Sequence, residues 1–242
     1  MLGVQPSLTT RTLTPAAPQS RAAESKGWGL WLSGCLLVAL PVFLQAPGVR
    51  LAPVRAALVT APRRCLGSAL SQHPQQRWST TGTLLVGFSG SWLGGCLFWG
   101  WCRLHPLWHL PIEAFALPLA LGGLRTRWRL AASFYLASLV GTAATDGVMA
   151  ITGVMRHWTE VLSAPIDQAT LLLQQAALGV LEPIPLGVTL LAGAVLVNLC
   201  RRYWHHPDGA WRVAAAAMAT TLAVDGLFLA AALWSPHWSG LI

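Results

Sequence analysis

Charge is what this 242-residue chain has least of: Asp, Glu, Lys and Arg together make up 10% of it, against 54% hydrophobic residues. So little polar surface cannot cover a water-soluble globule, and the bilayer is the solvent that fits. Acids are the scarcer sign, 8 against 16 Lys and Arg, for a formal charge of +8. The arginines come in twos and threes between apolar runs rather than in one stripe with interleaved aromatics. That pattern argues against a nucleic-acid partner and reads as a topology signal. Cys35, Cys65, Cys96, Cys102 and Cys200 form no C-x-x-C pair and are odd in number, so neither a zinc site nor a disulfide framework is indicated. No nucleophile elbow, phosphate loop or zinc-protease signature occurs, and no enzyme class is indicated.

Residues 1–26 are rich in Ser, Thr, Pro and Ala and cannot repay the entropy of folding, so they read as a disordered tail. Residues 27–242 read as one all-α, polytopic transmembrane domain. A crossing needs about 20 apolar residues to traverse ~30 Å of hydrocarbon. Gly27 to Leu44, Ser79 to Trp101, Leu130 to Met155 and Val213 to Trp234 satisfy this. Leu107 to Leu124, with Pro111 and Pro118, and Ile184 to Cys200 are shorter and interrupted.

Six crossings would put Arg11, Arg21 and Lys26 opposite the clusters at 63–77, 125–129 and 201–212. A seventh between Leu51 and about Leu70, marginal because it carries Arg55, restores the positive-inside pattern. A re-entrant hairpin there is the alternative. The layout expected is therefore about seven spans, six plus one re-entrant or marginal, with a cytoplasmic N-terminus and the C-terminus on the opposite side. Tryptophans fall near the span ends, as the headgroup layer favours, and Trp92 alone falls at mid-depth. Between Arg156 and Pro183, Asp167, Gln174, Gln175 and Glu182 recur about every seven residues, which predicts one amphipathic helix on the outer surface.

Two acids interrupt the oily runs. "GTAATDG" and "TTLAVDG" place Asp146 and Asp225 on spans running the same way, each with a threonine four residues earlier, Thr142 and Thr221, and a glycine just after. Those threonines lie on the face of their own acid, where a hydroxyl can donate to it, and Ser138 extends that face. Gly147 and Gly226 suit close helix approach. An acid at this depth is a functional expectation by default: proton or cation carriage, with interhelical packing as the competing role. Arg55 and Arg212 are the basic partners expected within reach. A second cluster, "HPLWHLPIE", sets His105, His109 and Glu113 at spacings of four, which on one helical face can hold a metal or a pigment. Pro106 and Pro111 argue for a loop followed by a helix with Glu113 near the outer boundary. "GSWLG", Gly90 to Gly94, is a small-xxx-small packing motif.

"PVFLQAP", "GFSGSWLGGCLFWGW", "HLPIEAFALPLAL", "GTAATD" and "VDGLF" stand in this order along the chain. They resemble a cyanobacterial family of uncharacterised multi-pass integral membrane proteins with a domain of unknown function. The resemblance implies a plasma or thylakoid membrane and assigns no catalytic residue. Two roles follow as expectations. One is transport of a small solute or ion coupled to protonation of Asp146 and Asp225, with Glu113 at the outer mouth. The other is a non-catalytic assembly or scaffold factor for a photosynthetic membrane complex.

Overall fold

The computed structural model describes residues 19–234, and within them the side chains of 29–45 and 48–234. Of the tail expected over 1–26, residues 1–18 lie outside the described residues, and from Gln19 the chain is helical. Among the described residues there are helices and turns and no strand. The fold is an all-α bundle.

The first long helix, α1 (Gln19–Leu40), passes through a π-helical turn (Pro41–Gln45) into α2 (Ala46–Leu51). Pro41 has no N–H to offer the preceding turn, and the wider π turn absorbs that mismatch. Ala52, which precedes Pro53, leaves helical geometry with φ −150° and ψ 68°. The proline ring excludes the α region for the residue before it, so the chain turns back here. It returns as α3 (Pro53–Leu58) and α4 (Thr60–Ser71), then reverses into α5 (Gln76–Leu97), which ends in a second π turn (Phe98–Cys102). Next come α6 (His109–Glu113) and α7 (Leu117–Gly123), joined by a 3-10 turn, and the long α8 (Arg129–Ile151). Gly153, at φ +80°, stops α8 in a left-handed conformation that suits glycine. Short α9 (Trp158–Ser163) and α10 (Ile166–Val180) lead to α11 (Pro183–Trp204) and α12 (Gly209–Trp234).

Five helical stretches are long and apolar enough to cross a membrane: Gly29–Leu51, Gln76–Cys102, Arg129–Ile151, Pro183–Trp204 and Gly209–Trp234. The other two expected crossings, 51–70 and 107–124, are broken into short pieces. Their direction is nonetheless fixed by packing. Gly67 of α4 sits against Gly82 of α5, and Ser79 donates to the Ser71 carbonyl at 2.9 Å, while farther along Trp92 Nε1 donates to Ala56 O at 3.0 Å. The pair α3–α4 thus runs back along α5. In the same way Gly123 of α7 lies against Ala132 of α8 and Glu113 of α6 reaches Thr142.

The four long helices α1, α5, α8 and α12 all point the same way. Gly87 and Gly90 of α5 meet Ala131 and Tyr135 of α8; Gly141 of α8 meets Thr221 of α12; Gly34 of α1 meets Ala216 of α12. The core they enclose is built from Leu84, Phe88, Phe134, Ala137, Val213, Ala214, Ala217 and Met218. Small side chains at the crossings let backbones approach, the form of packing that works where lipid competes for apolar contact. Leu190, Leu191 and Val195 of α11 and Leu32 and Leu36 of α1 are exposed, as lipid-facing side chains are. Integral membrane insertion is what this surface fits.

One end of the bundle gathers the connections at 72–75, 124–128 and 205–208, and Arg129 bonds Asp208 across two of them at 2.8 Å. Arg77, Arg125, Arg127, Arg201, Arg202 and Arg212 stand at this end, against Arg50, Arg55, Arg103 and Arg156 toward the other. The connection over 152–182 is two helices and not the one expected. Its polar face is not wholly turned to water either: Gln174 Nε2 donates to Leu233 O at 3.1 Å, serving one of the unpaired carbonyls at the end of α12.

The arginine-bearing return segment is held by aromatic faces. Arg63 lies 3.9 Å from the Trp92 ring centroid and 5.0 Å from that of Phe88. No acceptor reaches its Nη1 among the described residues, so the ring quadrupoles supply its stabilisation. Arg64 next door is exposed. Arg63→Gln is expected to lower the unfolding midpoint in detergent by roughly 3–6 °C, the scale of a partly desolvated cation–π contact, whereas Arg64→Gln leaves it within a degree or so. A thermal melt of both variants checks this.

Candidate functional site

The polar cluster forms where the broken segment α6 meets α8, toward the end of the bundle away from the arginines. Glycine makes the room: a side chain at Gly94 would come within 3.1 Å of the Glu113 Cα, and one at Gly90 within 3.2 Å of the Tyr135 ring. The small-xxx-small motif on α5 therefore seats α6 and Tyr135. Tyr135 in turn repairs the break between α6 and α7. Its hydroxyl donates to the Glu113 carbonyl and accepts from Ala116 N at 3.2 Å, which satisfies backbone groups that a broken helix leaves open within a bundle.

His109 is bracketed by two carboxylates. Its Nδ1 is 3.1 Å from both oxygens of Asp146, and its Nε2 is 3.4 Å from Glu113 Oε1. Phe98, fully buried, covers the imidazole with ring centroids 4.2 Å apart. Thr142 Oγ1 donates to Glu113 Oε2 at 2.9 Å. An ionised carboxylate only accepts, so bonding on both sides of the ring requires both imidazole nitrogens to carry hydrogen, or one carboxyl to be protonated.

Asp225 is served from α8. Thr145 Oγ1 lies 2.5 Å from Asp225 Oδ2 and 3.1 Å from Gly141 O. A hydroxyl has one hydrogen for these two acceptors. When Thr145 donates to Gly141, the bond to Asp225 requires the acid to supply its own proton. Asp146 and Asp225 are also close enough to act on each other electrostatically. Asp146 lies roughly 8 Å short of the end of α8, and Asp225 roughly 14 Å short of the end of α12, at 1.5 Å per residue. Both acids thus stand in the half of their helices away from the arginine-rich end and not at the centre.

Several side chains are placed otherwise than their spacing suggested. Thr142 serves Glu113 instead of Asp146, and Thr221 donates to Ala217 O at 3.1 Å instead of to Asp225. On an α-helix a threonine hydroxyl reaches back to the carbonyl four residues earlier, and Thr221 takes that option because Gly141 presses against it. Nothing stands within 4 Å of a side chain added at Gly147 or Gly226, so the close approach belongs to Gly141. The Ser138 hydroxyl is buried without a partner among the described residues. His105 is exposed and stays apart from the cluster, its N–H bonded to Cys102 O at 2.8 Å. The basic partner of Asp146 is His109. Arg212 is committed elsewhere, with Nε donating to His206 O at 2.7 Å. Among the described residues no group of three or more His, Cys, Asp or Glu side chains is arranged to hold a metal ion.

A second buried polar contact lies on the other face of α5. Gln45, at the π turn of the first helix, donates from Nε2 to Trp92 O at 2.5 Å and to Cys96 Sγ at 3.0 Å, close against Gly95. Neither Gln45 nor Thr145 was singled out by sequence pattern. Thr145 had a signal, since it directly precedes Asp146, but a neighbour in sequence points about 100° away around the helix.

Comparison with protein families matches residues 34–233 to the family described as "Protein of unknown function (DUF3120)", and the chain belongs to that family. No curated protein and no solved structure matches.

Coupling separates the two threonines. In a double-mutant cycle for unfolding, Thr145→Val with Asp225→Asn is expected to show an interaction of about 1 kcal/mol, the scale of a side-chain hydrogen bond to an acid. Thr221→Val with Asp225→Asn is expected to be additive within about 0.5 kcal/mol. A reversal of the two values contradicts the geometry described.

Proposed function

We propose that this member of the family is a proton-coupled transporter of a small solute or ion in a plasma or thylakoid membrane. The observation that carries the proposal is His109 held between Glu113 and Asp146 at the joint of a broken segment. A cluster with one more hydrogen-bonding demand than it has fixed protons takes up or releases a proton at little structural cost. Broken helical segments beside acid-bearing parallel helices are also how many transporters build their sites. In this reading Glu113 and His109 line the approach from the outer mouth, Asp146 accepts the proton from His109, and Thr145 with Asp225 carries the polar contacts across to α12 at the same depth. The N-terminus is cytoplasmic and the C-terminus lies on the opposite side, with the arginine-rich connections inside. The two broken return segments complete the alternation of directions.

A second role has its own support: the chain has little mass outside its helices, and its sequence blocks resemble a cyanobacterial membrane family. That role is assembly or scaffolding of a photosynthetic membrane complex, in which the polar cluster fixes helix packing.

Proteoliposomes loaded with a pH dye and challenged with inorganic ions and small carboxylates distinguish the two. The wild type is expected to admit protons when one class of solute is added, and His109→Gln and Asp146→Asn to lose that response at least about tenfold, with normal folded yield, as loss of an essential acid–base group does. Variants that transport normally, or a wild type that answers to no solute while purifying with chlorophyll proteins, overturn the transport reading in favour of the scaffold.

A further inference from the structure

We propose that the groove between α11 and α12 is a binding site for one anionic phospholipid from the leaflet at the arginine-rich end. The groove has a volume of about 690 Å³ and is walled by apolar side chains, among them Val197 and Trp204 from α11 and Leu222 and Ala223 from α12. Arg201 and His205 line its end. The proposal is independent of transport and rests only on the bundle lying in a membrane.

Three features select the occupant. The first is polarity along the groove. Its lining runs along α11 from Val197 to His205, roughly 12 Å at 1.5 Å per residue, and along α12 from Ala219 to Ala223, with Arg201 and His205 toward the end where the helices are joined. A molecule with a long apolar part and a compact anionic head matches that division. The second is unsatisfied charge. Arg201 and His205 are both exposed, and Asp208, the acid at this end among the described side chains, is bonded to Arg129 at 2.8 Å. Among the described side chains Arg201 has no carboxylate to pair with there, which leaves its guanidinium open to a partner from outside the chain. A phosphodiester presents the acceptor oxygens that a guanidinium fork fits. The third is access: α11 is peripheral, Val197 is exposed, and Leu190 and Leu191 on the same helix are exposed as well. The groove therefore opens sideways to acyl chains instead of to water alone. Trp204 stands at headgroup depth, where an indole belongs, edge-on to Trp31 with ring centroids 5.2 Å apart. Basic hollows between helices on the arginine-rich side of a membrane recognise anionic headgroups in this manner.

The full chain in neutral detergent, titrated with phosphatidylglycerol and with phosphatidylcholine of the same acyl chains under native mass spectrometry, tests this. One phosphatidylglycerol is expected to bind at least about tenfold more tightly than phosphatidylcholine. Arg201→Gln is expected to weaken it about fivefold, the contribution of one cation near a charged headgroup, and His205→Gln to weaken it less, by the loss of one ring hydrogen-bond donor. Arg202→Gln, on an exposed residue outside the groove, leaves it unchanged. Leu222→Trp fills the apolar wall and weakens binding with Arg201 and His205 intact; Ala223→Leu does so more mildly should the larger ring impair folding. Equal affinity for the two lipids, insensitivity to Arg201→Gln, or displacement of the lipid by millimolar inorganic phosphate overturns the proposal, the last because it shows a free-anion site with no use for the apolar wall.

Discussion

The polar arrangement depends on one close approach. A side chain at Gly141 would stand 2.8 Å from Thr221 Oγ1, so only glycine lets α8 and α12 meet there. That contact brings the two helices together in parallel, and one turn farther on it sets Thr145 at 2.5 Å from Asp225. Had the helices crossed farther apart, Asp225 would face lipid with nothing to bond, a cost of several kcal/mol for an ionised group in hydrocarbon. The packing requirement and the polar requirement are met by the same residue.

The breaks in the return segments have a related cause. Pro53 bends the chain after α2, and Pro111 lies within α6; each removes a backbone donor where an unbroken helix would use it. A polypeptide inside a bundle tolerates this only when side chains supply the missing partners. Tyr135 does so at the junction of α6 and α7, and because its ring rests on Gly90 the repair is anchored to α5. The break in turn swings His109 and Glu113 toward α8. A continuous helix over 107–124 would have carried these residues on its own face at four-residue spacing, without a kink to seat Glu113 against Gly94 and Thr142.

Much of the architecture was legible because it follows from local pattern. Apolar runs long enough to span account for four of the five long helices, while the segment over Ile184 to Cys200, expected to be short and interrupted, lies within the unbroken α11 because its prolines fall in the first turn; the repeated Thr-x-x-x-Asp-Gly accounts for two acids on parallel helices. Direction along 51–71 was legible from arginine placement alone, although the segment is two helices joined at Val59. What the pattern did not contain was partner choice. Thr142 sits on the face of Asp146, and nothing local says that Glu113, far along the chain, will take its hydroxyl. His109 was grouped with His105 and Glu113 by spacing, yet tertiary packing removed His105 and added Asp146. Gly147 and Gly226 matched as neighbours of the acids, but the crossing point fell one and a half turns earlier, at Gly141.

The two acid motifs resemble each other and are used differently, and the residue just before each acid accounts for it. On α8 that residue is Thr145; on α12 it is Val224, which is buried. The threonine gives α8 a second polar direction, about 100° around the helix from Asp146, so α8 faces His109 on one side and Asp225 on the other. The valine gives α12 an apolar contact at the same place and no means of passing a hydrogen bond onward. The polar contacts of α8 therefore divide between adjacent residues: Asp146 meets His109, and Thr145 meets Asp225. A symmetric pair of threonines would instead have offered Asp146 a hydroxyl from α12 and competed with His109 for its oxygens. The asymmetry leaves both Asp146 oxygens to the imidazole.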